Sequence, residues 1–213
     1  MKGLFITFEG TEGSGKSTQI SLLADRLRAS GRTVRTLREP GGTPIGEEIR
    51  HTLKHSKDNA AMTAEAELLL MNASRTQLVR EVIRPALASG EIVLCDRFYD
   101  STTAYQGYGR GLDLKIVQAM IDFAVGETRP DLTLFLNISP KVSEARRRSR
   151  QSTLPLLRDR MEEADRHFFE RVATGYQLIA AANPQRVKLI DATTDVEAVS
   201  AAIWKEASPL LGH

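Results

Sequence analysis

Gly10-Thr11-Glu12-Gly13-Ser14-Gly15-Lys16-Ser17 follows the apolar run Leu4 to Phe8 and precedes Ile20, Leu23, Ala24 and Leu27, which recur at i, i+3, i+4 and i+7. The octad matches G-x-x-x-x-G-K-[ST], and its setting gives the match weight: a strand leads into it and a helix opens out of it. Glycines let the backbone curl until several N–H groups point at phosphate oxygens, and the helix N-terminus adds partial positive charge. Gly10, Thr11, Glu12, Gly13, Ser14, Gly15 and Lys16 therefore read as a phosphate cradle, completed by Ser17 and Thr18, with Lys16 bridging β- and γ-phosphates. The Ser17 hydroxyl is the natural ligand for Mg²⁺, which takes few protein oxygens and fills its shell with phosphate and water.

Outward from this stretch, apolar runs rich in branched residues recur at Thr33 to Leu37, Ile92 to Leu94, Leu132 to Ile138 and Val187 to Ile190. Longer helix-like segments separate them, so the expected fold is α/β with a parallel sheet. The first helix stops at Gly31. A second is expected from about Thr63 to Ser89, with Leu68, Met71, Arg75, Leu78 and Val82 on one face and Pro85 bending its end. Further helices are expected over Leu114 to Val125, Arg160 to Ala182 and Val196 to Ala207, and loops over Glu39 to Pro44 and Gln151 to Leu157.

A chain of 213 residues, 41% hydrophobic and 26% charged, suits one compact domain with a sizeable core. Its 29 basic and 27 acidic residues leave a net charge of +2, without the global field of a duplex-binding protein, so no nucleic-acid partner is expected. The stretch Met1 to Phe8 ends at Glu9, far short of a signal h-region or a membrane span. The lone Cys95 has no partner within the chain and suits a buried strand in a reducing compartment, so a cytoplasmic protein is expected.

A phosphate cradle alone leaves the reaction open. Asp96 ends the third apolar strand, a position from which a carboxylate can reach the Mg²⁺ shell, and Arg97 beside it suits phosphate. No Asn-Lys-x-Asp guanine signature occurs in the chain, which makes ATP the expected donor.

Phe8-Glu9-Gly10 with the cradle, Arg38-Glu39-Pro40-Gly41-Gly42-Thr43, Asp96-Arg97-Phe98 and Ser101 to Gly107 together resemble the bacterial thymidylate kinases, over nearly the whole chain. The resemblance implies a five-stranded parallel sheet wrapped by helices, a P-loop nucleoside monophosphate kinase domain over residues 1–213, and a mobile lid at about 146–160. It implies transfer of the γ-phosphate of ATP to dTMP in dTTP biosynthesis, with Mg²⁺, by a cytoplasmic homodimer. Another small P-loop kinase, or a P-loop ATPase switch, would keep the cradle but not the acceptor motifs.

By the same resemblance, Arg97 and Arg50 hold the acceptor phosphate, a task suited to planar guanidinium forks. Arg75 meets the thymine carbonyl, Tyr105 and Gln106 pack on the deoxyribose and read the base, and Ser101 and Thr102 line the same pocket. Met71 stands where the family stacks a Phe on thymine, and a thioether gives a softer contact. The cradle contains Glu12 and no arginine, so charge on the transferring phosphoryl group must be met from elsewhere. Arg146, Arg147, Arg148, Arg150, Arg158 and Arg160 cluster in the lid region. Counting from Pro140 puts Arg150 on the family's catalytic lid arginine, with Arg148 and Arg158 as alternatives.

Overall fold

The computed structural model describes residues 3–153, 160–161 and 164–211, without the side chains of 140, 147, 148 and 150–153. Five strands, β1 (Leu4–Glu9), β2 (Val34–Arg38), β3 (Ile92–Asp96), β4 (Leu132–Asn137) and β5 (Val187–Asp191), form one parallel sheet in the order β2-β3-β1-β4-β5. The five apolar runs expected as strands are these five, each shifted by no more than two residues. Both faces of the central strand are covered, as a parallel sheet requires. Ile6 and Phe8 pack with Ile20, Leu23 and Leu27 of α1 (Lys16–Ala29) on one side, and Phe5, Val93 and Cys95 face the other helical layer. Cys95 is a buried core thiol whose pKa burial pushes well up.

Next in the chain come α2 (Pro44–Lys54), α3 (Ala64–Leu78), α4 (Arg84–Ala88), α5 (Tyr99–Thr102), α6 (Leu114–Val125), α7 (Pro140–Thr153), α8 (Arg166–Ala182) and α9 (Val196–Ala207). The expected 63–89 helix is α3 and α4 joined by a π-helical turn at Val79–Ile83. Pro85 supplies no N–H to the ladder and its ring crowds the preceding turn, so the helix widens just before it.

Three helical segments escaped the periodicity. α2 has its start signals in Thr43, whose hydroxyl accepts from the Gly46 N–H at 3.0 Å, and Pro44 at the first position. α5 runs into a second π-helical stretch at Thr103–Gly109, whose polar residues carry no apolar stripe. α7 is dense in arginine and continues through Gln151–Thr153, so the loop expected from Gln151 begins too early; its residues 154–157 lie outside the described ones. The expected start of α8 at Arg160 is also corrected: the helix begins at Arg166, where Asp165 caps it by accepting from the Phe168 N–H at 2.8 Å.

Parallel register sets Phe8 beside Asp96, and Asp96 beside Arg38. The cradle, the Glu39 segment and Arg97 therefore all leave the sheet at its carboxyl edge, where open α/β folds place ligands.

Candidate active site

At the end of β1 the chain turns through Gly10, Gly13 and Gly15, all at positive φ, and Gly15 at φ 91° is the residue before α1. A side chain there would be strained. Gly13 is also crowded: a Cβ would stand 2.9 Å from Cβ of Arg146, whose guanidinium donates to the Gly13 carbonyl at 3.0 Å. Ser143 Oγ donates to the Glu12 carbonyl at 2.7 Å, so α7 braces the loop from outside. Lys16 Nζ donates to the carbonyls of Gly10 and Thr11 at 3.2 and 3.1 Å, and its burial holds its pKa below the usual lysine range. The buried Thr11 and Ser14 hydroxyls have no hydrogen-bond partner among the described residues, which leaves hydrogen-bonding capacity for a ligand in the cradle. Ser17 Oγ donates to Asp96 Oδ2 at 3.2 Å. Two hard oxygens on separate elements thus meet beside the cradle, which fits a Mg²⁺ ion carrying mostly phosphate and water.

Beside the cradle lies a cleft of about 440 Å³. Met71, Arg75, Arg97, Ser101, Thr102, Tyr105 and Gln106 line it together. Arg50 does not; it is half-buried and donates to the carbonyl of Pro40, a lining residue, at 2.9 Å. Glu12, Glu39, Lys54, Phe98 and Met161 also line the cleft. Lys54 and Met161 had no readable signal, since they arrive from the end of the unread α2 and from the turn before α8. The backbone joins those two segments, because the Arg160 N–H donates to the Lys54 carbonyl at 3.1 Å.

Arg75 is only 2% exposed and pairs with the equally buried Glu39, Nη2 to Oε2 at 2.7 Å. Its other N–H groups meet Asn72 Oδ1 at 3.2 Å and the Phe98 carbonyl at 3.3 Å. Burial pushes the Glu39 carboxyl up and Arg75 draws it back; Glu39 Oε1 has no hydrogen-bond partner among the described residues. Gln106 Nε2 donates to Glu67 at 2.7 Å, which fixes the amide, because a carboxylate only accepts. Glu67, fully buried, also collects Arg110 and Arg160. Arg160 is therefore a structural anchor, held by Glu67 and the Met62 carbonyl. The Arg150 side chain, like those of Arg147 and Arg148, lies outside the described ones, as does all of Arg158.

Arg97 takes φ 70°, rare for a residue with a Cβ, and its two terminal nitrogens donate to four oxygens. Nη1 reaches Ser101 Oγ and the Tyr176 hydroxyl, both at 3.1 Å. Nη2 reaches Glu12 Oε1 at 2.9 Å and the Tyr105 hydroxyl at 3.2 Å. Burial alone would raise the Glu12 carboxyl, but Arg97 and Lys16 outweigh it and hold it well below the usual range. Burial pushes the Tyr105 hydroxyl up to about 12, so it is neutral. The Arg97–Glu12 ion pair joins the two halves of the site: the cradle and the cleft share a wall.

A thymidylate kinase family model matches residues 8–203. The chain belongs to that family. It is 49% identical over 207 residues to the thymidylate kinase of Chlorobium luteolum, covering 95% of each chain. It is 47% identical over 208 residues to that of a Synechococcus strain, covering 98% of this chain and 97% of the relative. Its fold superposes on the crystal structure of thymidylate kinase from Ehrlichia chaffeensis with a TM-score of 0.77 and 33% identity, over 98% of this chain and 99% of that one. The expected architecture, a five-stranded parallel sheet wrapped by helices in the P-loop nucleoside monophosphate kinase arrangement, is the one observed.

Proposed function

We propose that this member of the thymidylate kinase family transfers the γ-phosphate of ATP to dTMP, giving dTDP and ADP. The observation that carries the reading is the Arg97–Glu12 pair at 2.9 Å, which sets an acceptor-side guanidinium against the donor loop. Phosphoryl transfer needs little covalent help from a protein; it needs the two phosphates held in line and the developing charge met. The cradle N–H groups and Lys16 serve the donor, while Arg97, with Arg50 behind the Pro40 wall, serves the acceptor phosphate. Arg75, Gln106 and Tyr105 take the base and sugar, and Met71 gives the base a polarizable face. Ser17 and Asp96 are the residues that would hold Mg²⁺, which supplies charge neutralisation at the donor phosphates when bound. Arg150, in the lid at 146–160, is assigned to the charge of the transition state.

A panel of nucleoside monophosphates, scored for ADP release with ATP and Mg²⁺, tests this directly. Phosphorylation of dTMP far above AMP, GMP and CMP is expected, and equal rates across the panel would sink the reading.

We also propose one P-loop kinase domain working as a cytoplasmic homodimer. The single sheet supports the first point. Apolar Leu69 on α3 and Ile116 and Phe123 on α6, 58%, 57% and 77% exposed on two helices that pack together, support the second. Light scattering at micromolar concentration should give twice the 23.6 kDa chain mass. Among the described residues no helix is long and apolar enough to cross a membrane.

A further inference from the structure

Behind Arg97 stand Glu9 and Tyr176, which do not line the cleft and which the transfer chemistry does not use. Glu9 ends β1 and is fully buried. Its Oε1 accepts the Phe98 N–H at 2.8 Å and the Ser101 N–H at 3.3 Å. Its Oε2 accepts the Tyr176 hydroxyl at 2.9 Å and also the Ser101 hydroxyl. Those two hydroxyls are the ones that Arg97 Nη1 reaches. Tyr176 itself comes from α8, is 2% exposed and is stacked on Phe135 at a centroid distance of 4.9 Å.

Hydrogen-bond bookkeeping gives this group a direction. A guanidinium has no acceptor, so both hydroxyls must accept from Arg97. Each then has one proton left to give. Ser101 and Tyr176 also lie 2.8 Å apart, so one proton can pass between them, but at least one must go to Glu9. Among the described residues each of these neighbours can donate to Glu9, which thus stands as the acceptor one hydroxyl behind Arg97 and, when ionised, as its counter-charge. Arg97 needs such holding, because its backbone sits at φ 70° and its side chain crosses between the cradle and the cleft.

We propose that Glu9 and Tyr176 are positioning residues that aim the Arg97 guanidinium at the acceptor phosphate, a role that rests on the reading of Arg97 given above. Glu12 and Tyr105 grip the guanidinium from the cleft side, where a bound acceptor competes for it. Tyr176, backed by Glu9, holds it from outside the cleft lining, and Ser101 joins the two sides. The arrangement spends a buried carboxylate on holding one arginine still, which a purely packing role for Tyr176 would not require.

The experiment is a double-mutant cycle of Tyr176→Phe with Arg97→Ala, read as kcat and as KM for dTMP and for ATP separately. Tyr176→Phe keeps the stacked ring and removes the hydroxyl that joins Arg97 to Glu9, so kcat/KM for dTMP should fall about 10-fold with the KM for ATP unchanged. On the Arg97→Ala background the same change should cost less than about 2-fold, since the group it acts through is gone. Glu9→Gln, of equal size, should give the same pattern, because its amide presents donors where the hydroxyls need an acceptor; it decides the matter if Tyr176→Phe does not fold. Wild-type kinetics in both variants, or an equal loss on both backgrounds, would overturn the proposal while leaving Arg97 as the phosphate holder. An unchanged KM and kcat for dTMP in Arg97→Ala alone would overturn the reading of Arg97 itself, and the proposal with it.

Discussion

The donor cradle and the acceptor cleft touch at the Arg97–Glu12 pair, yet they are built in opposite ways. Every group of the cradle comes from the one stretch Gly10 to Thr18, built from positive-φ glycines and then a helix start. The cleft draws on segments following β2 and β3, on α2 and α3, and on the turn before α8. Its charged groups also stand differently. Lys16 leans on backbone carbonyls of its own loop, whereas Arg75 and Glu39 are buried against each other and belong to the folded core. Loss of a group should therefore cost the fold less in the contiguous site than in the assembled one.

Arg75 is where the two halves of the site should differ most. Its removal would strand Glu39 without a counter-charge in the interior, so Arg75→Ala should lose about 3–5 kcal/mol of folding stability along with dTMP binding. Chemical denaturation measures it, and near-wild-type stability would mean that the cleft is no more part of the core than the cradle is. Lys16→Ala is the matching test on the other side. Its kcat should fall on the order of 10²-fold or more, as when a preorganised charge at a transferring phosphate is deleted. Circular dichroism should show the fold intact; an unfolded variant would make Lys16 structural and erase the contrast.

Arg150 belongs to a third region, α7. Arg150→Ala should lower kcat by about 10- to 100-fold with little change in dTMP affinity titrated calorimetrically without ATP. A matched loss of dTMP affinity would move Arg150 into the cleft. The smallest effect concerns Glu9, whose carboxyl is pushed up to about 7 by burial and by Asp100, against the pull of Arg97, Ser101 and the Phe98 N–H. A raised carboxyl pKa means that the folded state holds the proton more tightly than the unfolded chain. Its contribution to stability is therefore fully present below the ordinary carboxylate range and is lost as pH rises through about 7. Wild type should lose on the order of 1–3 kcal/mol between pH 5 and pH 8 that Glu9→Gln does not lose, read from denaturation midpoints at the two pH values. Parallel pH curves would show that Glu9 does not titrate there.

The strands were legible because their branched apolar runs are buried on both faces. α2 was not, because its start signals, Thr43 and Pro44, lie in what reads as a loop. α7 was not, because its face toward the cradle is made of Ser143 and Arg146 rather than apolar residues. Most of the cleft residues were legible through family motifs, not through periodicity, and the residues that hold them were not.

By itself the sequence determined the cradle and the layered α/β order, since turn geometry, helix starts and strand burial are encoded by neighbours. Only the tertiary structure decided what each acceptor arginine leans on. Arg75 finds Glu39 across 36 positions, Arg97 finds Glu12 across 85, and Tyr176 finds Glu9 across 167. The charge state and aim of a buried group depend on what surrounds it in space, and no spacing along the chain records that.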